Sequence, residues 1–390
     1  MKAKMKKANI FALIILVLVV LLSLTACGKT KSHKEETITI TDMIGRSVEV
    51  KPGTYKRVVC IGAGALRMYS YIGDVSLLSG IEDIDNTTLD NRPKMFDQAA
   101  RPYVIANKDV FDKINSSCGV GGPNAQSAEA EKILSCNPDI VVSEYEDKEK
   151  EDALQKQLGV PVITLKYGYN GVFDEYVKES LKMLGKVFNK EKEANTLISF
   201  INSQKDLINN RTKDIPDGEK KSVYICGLGN WGTTNHLFTA QNYAPFKVAN
   251  IKNAVSGLAK DGIQPIEEEK LVSLGESIDI MIIDSAAIKN IKPLYNEDKT
   301  MFDTIKAWNN NEVYIEMAYN AYYTNLEIAL INTWWIAKVV YPNLFSDIDM
   351  TAKTNEVTMA FLGKELATEI FACPASFGGY QKINTQTFFN

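Results

Sequence analysis

Histidine is nearly missing from this chain of 390 residues, which holds two, His33 and His236. Only His236 lies beyond the first 36 residues, so a Ser-His-Asp relay has one candidate base, and no Gly-x-Ser-x-Gly elbow accompanies it. Six cysteines stand at irregular spacing, which excludes a clustered zinc site and argues against a disulfide framework. Cys60 and Cys226 fall in apolar, strand-like runs and read as buried thiols; Cys118 with Cys136 is the one pair worth testing. Arginine is scarce too, with six in all and none after Arg211. Neither sign of charge dominates: 44 basic side chains against 48 acidic ones give a formal charge of -4, which speaks against a nucleic-acid partner. The amino-terminal apolar run, residues 10–24, is shorter than the roughly 18 residues of a membrane span.

What surrounds that run is informative. Lys2, Lys4, Lys6 and Lys7 precede it and Leu24-Thr25-Ala26-Cys27-Gly28 follows, so residues 1–26 read as a secretory signal peptide. A cysteine directly after Leu-Thr-Ala resembles the bacterial lipoprotein motif, in which the Cys27 thiol takes a diacylglycerol. Two or more acyl chains anchor stably, each buried CH₂ contributing about 0.8 kcal/mol. Residues 27–36 then form the lipidated cysteine and a polar tether, placing the rest on the extracytoplasmic face of a bacterial cell membrane.

The remaining length suits two globular domains. Strand-like and helix-like runs alternate, which predicts an α/β fold of two lobes, each with a mainly parallel sheet. The first lobe spans residues 37–188 and the second 219–372, with an irregular, loosely held tail over 373–390. Between them residues 189–214 predict one long connecting helix: Ala194, Leu197, Ile198, Ile201 and Ile208 make an apolar stripe broken at Gln204, and Asn189 is placed to cap its start. An ordinary surface helix would show the same periodicity. A repeat on either side favours the strut: Glu129-Ala130-Glu131-Lys132-Ile133-Leu134 precedes Asp139-Ile140-Val141-Val142, and Glu267-Glu268-Glu269-Lys270-Leu271-Val272 precedes Asp279-Ile280-Met281-Ile282.

Three constellations can carry chemistry. Gly62-Ala63-Gly64-Ala65-Leu66-Arg67 after a strand, with Glu82 about 20 residues on, imitates a dinucleotide fingerprint, but Arg67 occupies the place of the third glycine. The alternative is a tight strand-to-helix turn presenting backbone at the sheet's carboxyl edge, where α/β ligands bind. His236 is either an iron ligand or a polar pocket residue. Tyr319-Asn320-Ala321-Tyr322-Tyr323, with Trp231 and the Asn235-His236 pair, supplies rings and hydrogen-bonding groups suited to a small-molecule cleft. No metal-binding cluster is present in the sequence, and an exported enzyme or an adhesive lipoprotein is a distant alternative.

Ile40-Thr41-Asp42-Met43-Ile44-Gly45-Arg46, Arg101-Pro102-Tyr103, Gly119-Val120-Gly121-Gly122-Pro123-Asn124, and Glu131 ahead of Asn137-Pro138-Asp139-Ile140 together resemble the substrate-binding lipoproteins of iron-siderophore, haem and cobalamin ABC importers. The similarity runs from about residue 37 to about residue 345. It implies two lobes joined by one long helix, a monomer without enzymatic activity or resident cofactor, and a small-molecule metal chelate held between the lobes. It implies as partners an ABC permease dimer with its ATPase, docked by one glutamate per lobe, Glu131 and Glu269, the second less securely because Glu268 is adjacent. The expected cleft brings Gly64, Asn124 and Tyr145 to face Trp231, Asn235, His236, Tyr319, Tyr322 and Tyr323. A second lobe without arginine suits a weakly charged ferric hydroxamate better than a triply charged catecholate, with haem or a corrinoid as alternatives.

Overall fold

In the computed structural model, which describes residues 36–122, 125 and 127–389, strands form where the sequence has its apolar runs. The signal peptide, Cys27, the tether up to residue 35 and Asn124 lie outside the described residues. Val58–Ile61 and Ile140–Ser143 are buried at every position, as strands covered by helices on both faces must be. They are neighbours in a five-stranded, wholly parallel sheet ordered Ser117–Gly119, Leu78–Glu82, Val58–Ile61, Ile140–Ser143, Val162–Thr164. The hairpin Ile38–Thr41/Ser47–Val50 is lashed beside it, because Met43 N–H donates to the Thr164 carbonyl at 3.1 Å and the buried Arg46 pairs with Asp42 and Asp152. The Asp42–Arg46 motif therefore has a structural role.

The second lobe repeats the plan. Lys252–Asn253, Ser222–Cys226, Ile280–Asp284 and Val313–Glu316 run parallel, and Gln381–Lys382 closes the far edge antiparallel. The fold is thus α/β with two lobes of mainly parallel sheet. Leu326–Val340 is buried almost all round, with Trp334 and Trp335 packed as core residues. Cys60, Cys118, Cys136 and Cys226 are all free and buried, so the Cys118–Cys136 pair is not bridged; the Cys118 thiol faces the Cys60 carbonyl instead.

The long helix forms over Glu191–Thr212, about 33 Å at 1.5 Å per residue, and buries the expected stripe. Two details differ from expectation. Asn189 does not cap its start: with φ 55° it ends the preceding helix, Glu175–Phe188, in a left-handed conformation that asparagine tolerates. Gln204 is no exposed gap either. It is buried, donating to Glu356 at 3.0 Å and accepting from Lys353 at 3.3 Å.

Those two partners belong to Met350–Leu362, which opens a strap running from lobe to lobe. Its Phe361 meets Tyr71 of the first lobe edge-to-face at 5.0 Å, the Lys364 ammonium donates to the Ala106 carbonyl, and Ala375 N–H donates to the Gln98 carbonyl at 3.0 Å. Arg211 at the end of the long helix binds Asp347 through both nitrogens, at 2.6 and 2.8 Å. The chain then returns to the second sheet through Gln381–Lys382, and Phe389 stacks on Trp308 with no exposed surface. Of the expected tail, residues 373–389 are largely irregular in secondary structure but not loosely held. Its aromatic residues have a core to enter, a tertiary fact that periodicity cannot reveal.

Candidate functional site

The carboxyl ends of both sheets face each other across a seam. Glu82 closes the strand Leu78–Glu82 and is buried, with one carboxylate oxygen accepting the Gly62 N–H at 3.1 Å and the other the Tyr322 hydroxyl of the opposite lobe. Beside it the fully buried Arg67 reaches across, donating to the Ala321 carbonyl at 2.8 Å and to Asn325 Oδ1 at 3.1 Å, while its guanidinium lies 4.6 Å over the Tyr103 ring. Asn325 donates in turn to the Ala100 carbonyl at 3.3 Å. The residue that spoiled the dinucleotide fingerprint is thus an interlobe tie. Gly64 lies at the start of the helix Ala65–Ile72 with φ 93°, and a Cβ there would stand 2.6 Å from the Tyr167 hydroxyl, which donates to its carbonyl.

Apolar contact completes the seam. Ile84, Phe96 and Ala99 of the first lobe pack with Ala321 and Tyr322 of the second, and Trp231 borders the group with its ring centroid 6.4 Å from that of Phe96. Tyr167 and Tyr323, one from each lobe, lie 4.5 Å apart. Tyr322 and Tyr323 hold φ of 55° and 70°, uncommon for bulky residues, and the Tyr322–Glu82 and Arg67–Ala321 bonds keep that loop in place.

The anticipated set is therefore brought together only in part. Gly64, Trp231, Tyr322 and Tyr323 meet at the seam. Tyr145 lines a small cavity with Glu82, Cys118, Gly121 and Glu129. Tyr319 sits behind the seam, where burial and the adjacent carboxylates Asp284 and Glu316 raise its hydroxyl's pKa. Asn235 spends its side-chain oxygen on the Leu237 N–H at 3.0 Å. His236 leaves the set altogether: its ring packs on Phe302 at 4.8 Å, inside the second lobe, and burial lowers its pKa to about 4. Sequence reading missed Arg67, Glu82, Glu144 and Tyr167 as seam residues. Glu82 and Glu144 did carry a signal, since an acid at or just past the end of a buried parallel strand stands at the sheet's carboxyl edge. A larger surface depression lined by Lys220, Lys247 and Lys252 lies at the opposite, amino-terminal end of the second sheet and shares no residue with the seam.

Burial pushes the Glu82 carboxyl from 4.5 up to about 7, although the Tyr322 and Gly62 bonds oppose the rise. An acid whose folded pKa is raised binds its proton more tightly when folded, so its contribution is full below the unfolded value and is lost as pH climbs through the folded one. Thermal stability is expected to decline between pH 4.5 and 7 by an amount on the order of 3 kcal/mol from this group. Melting profiles of the parent and Glu82→Gln across that window check it: a decline of equal size in both would place the sensitivity elsewhere.

With this geometry in view, comparison with known proteins is decisive for the family. Residues 96–326, more than half of the chain and part of each wall of the seam, match the periplasmic binding protein family. The chain belongs to that family. A periplasmic binding protein captures a solute and is not an enzyme. The molybdate-binding protein MolA of Haemophilus influenzae is 20% identical over 267 residues, 60% of this chain and 70% of the relative. The ABC transporter substrate-binding lipoprotein YvrC of Bacillus subtilis is 27% identical over 232 residues, 56% of this chain and 63% of that protein. Among solved structures, a periplasmic solute binding protein from Veillonella parvula aligns with TM-score 0.64 at 18% identity, covering 91% of this chain and all of its own. That likeness extends the periplasmic binding protein fold through both lobes and the connecting helix.

Proposed function

We propose that this periplasmic binding protein serves an ABC importer, taking a bulky, weakly charged metal chelate of the ferric hydroxamate class into the seam and delivering it to the permease. The supporting observation is the makeup of the seam: Tyr167, Tyr323, Tyr322, Phe96 and Trp231 bring rings together, while the nearby arginines are engaged internally, Arg67 to Ala321 and Asn325 with only its buried Nη1 left over, Arg101 to Asp85 at 2.6 Å. A small oxyanion, such as the molybdate named for the Haemophilus relative, or a triply charged catecholate would draw on free, convergent cations. Haem and corrinoid are the second reading; the inward-facing His236 weighs against its use as an iron ligand. Titrating the full chain in detergent with a ferric hydroxamate, a ferric triscatecholate, haem and cobalamin separates these. The hydroxamate is expected to bind most tightly and to quench tryptophan emission through Trp231. Tight binding of the triscatecholate alone would overturn the assignment.

The same reading places the protein on a lipid foot at Cys27 and assigns permease docking to Glu131 and Glu269. Both glutamates are exposed in the first turns of the short helices Ala130–Ser135 and Glu268–Leu274. Three residues on from each stands an exposed apolar side chain, Leu134 and Val272. Replacing Cys27 by Ser is expected to release the chain from the membrane fraction; acylation and retention that persist would refute the lipid foot.

A further inference from the structure

Glu144 is the first residue past the strand Ile140–Ser143, at the carboxyl edge of the first sheet. Its backbone N–H continues the ladder to the Ile61 carbonyl at 3.1 Å, and its side chain is 9% exposed. Among the described residues neither carboxyl oxygen accepts a hydrogen bond, and burial pushes the group up to about 9, with Glu146 adding to the rise. The other carboxyls along this edge are engaged: Glu82 by Gly62 and Tyr322, Asp85 by Arg101 and Tyr103, Glu129 by the Val120 N–H and Lys132. Two cations act on Glu144 from nearby, and neither is hydrogen-bonded to it. Arg67 holds the opposite lobe through Nε and Nη2, leaving Nη1 buried without a partner, and Lys166 binds Glu146 at 2.5 Å with its ammonium 4.9 Å over the Tyr176 ring.

Aromatic side chains stand close to this unpartnered acid, joined to it through the turn at Gly62–Gly64. A Cβ on Gly62 would stand 3.5 Å from the Glu144 Cβ, the Gly64 carbonyl accepts the Tyr167 hydroxyl, and the Tyr167 and Tyr323 ring centroids are 4.5 Å apart. The Tyr167 hydroxyl is spent on Gly64, so what the Tyr167 side chain has left to offer is its ring. Tyr169, two residues on, is 93% exposed at the rim. Ring faces attract cations through their quadrupole, and an ammonium brought beside a buried carboxyl favours release of its proton to solvent and pairs with the carboxylate left behind. We propose that the seam beside Glu144 selects ligands carrying a positive group, an alkylammonium seated between the Glu144 carboxylate and the rings of Tyr167 and Tyr323. This rests on the reading that the ligand occupies the seam, and narrows it from a weakly charged chelate to a cationic one.

The test compares two ferric trihydroxamates that differ only at one terminus, a free amine in one and its N-acetyl derivative in the other, titrated into the full chain in detergent. The amine form is expected to bind at least about tenfold more tightly, a difference of roughly 1.4 kcal/mol. In Glu144→Gln, which keeps the side chain's shape and whose folding is checked by its melting temperature, the ratio is expected to fall to within about twofold. Tyr323→Leu, which removes a ring and leaves the acid, is expected to reduce the ratio as well. Equal affinities in the parent, or a ratio unchanged in Glu144→Gln, would overturn the proposal while leaving the chelate assignment standing. If neither chelate binds, that assignment fails, and a second arm still decides: n-butylammonium is expected to protect backbone amides of residues 143–146 and 319–325 from exchange more than n-butanol does, in the parent but not in Glu144→Gln. No difference between the two probes would overturn the proposal.

Discussion

Reversing the charge at both Glu131 and Glu269 is expected to abolish uptake while leaving ligand affinity of the isolated protein nearly unchanged. Neither glutamate touches the seam, and both are exposed, so the reversal leaves the buried Ile133 and Leu271 of their helices, Ala130–Ser135 and Glu268–Leu274, in place. If each meets a cation on its permease subunit, two arginines in their place turn attraction into like-charge repulsion, a change of several kcal/mol at the interface. Single reversals are expected to be intermediate, and Glu268→Arg to have less effect than Glu269→Arg. Uptake assays in cells paired with titration of the purified variants check this. Normal transport by the double variant would reduce both residues to acids that favour the positive ends of their helices.

Arg67→Met is expected to be the most damaging single change at the seam. The methionine fills much of the space but leaves the Ala321 carbonyl and Asn325 Oδ1 buried without their donor, and it removes the cation from the Tyr103 ring. Each unpartnered buried group costs about 1–3 kcal/mol, so a loss of about 3–5 kcal/mol is expected. Arg67→Lys is expected to recover only part of it, because a single ammonium cannot reproduce the planar fork that spans two acceptors. Chemical denaturation measures the loss, and exchange at residues 319–325 should rise if it is local to the seam. A loss below about 1 kcal/mol would mean that packing rather than this cation holds the lobes together.

The elements that the sequence announces are those whose signal is local. Ser222–Cys226 and Leu326–Val340 begin and end where their apolar runs do, and the acidic repeat correctly marks one helix-strand pair in each lobe. The seam is legible only in part, because its contacts are not local. Tyr322 and Glu82 are 240 residues apart, and nothing in either neighbourhood states the pairing. The left-handed conformations at Tyr322 and Tyr323 run against what bulky side chains prefer, so local preference points away from the loop that forms. His236 misleads for the opposite reason. A lone histidine between polar residues reads as a site, yet Phe302, 66 positions on, claims its ring for the core.

The strap that crosses between the lobes also orders events in the life of the chain. A polypeptide that emerges amino end first presents residues 38–188 early, but the surface of Tyr71 and the carbonyls of Gln98 and Ala106 await partners near residues 361–375. The outer edge of Val313–Glu316 likewise stays an open template until Gln381–Lys382 arrives. Neither lobe has all its contacts before those residues are present. An exported chain of this design passes through a stage with an unpaired strand edge and uncovered apolar surface, the condition in which aggregation competes with folding. Until residues 350–389 are available, the first lobe lacks partners for Tyr71 and the Gln98 and Ala106 carbonyls, and the second lacks one for the edge of Val313–Glu316.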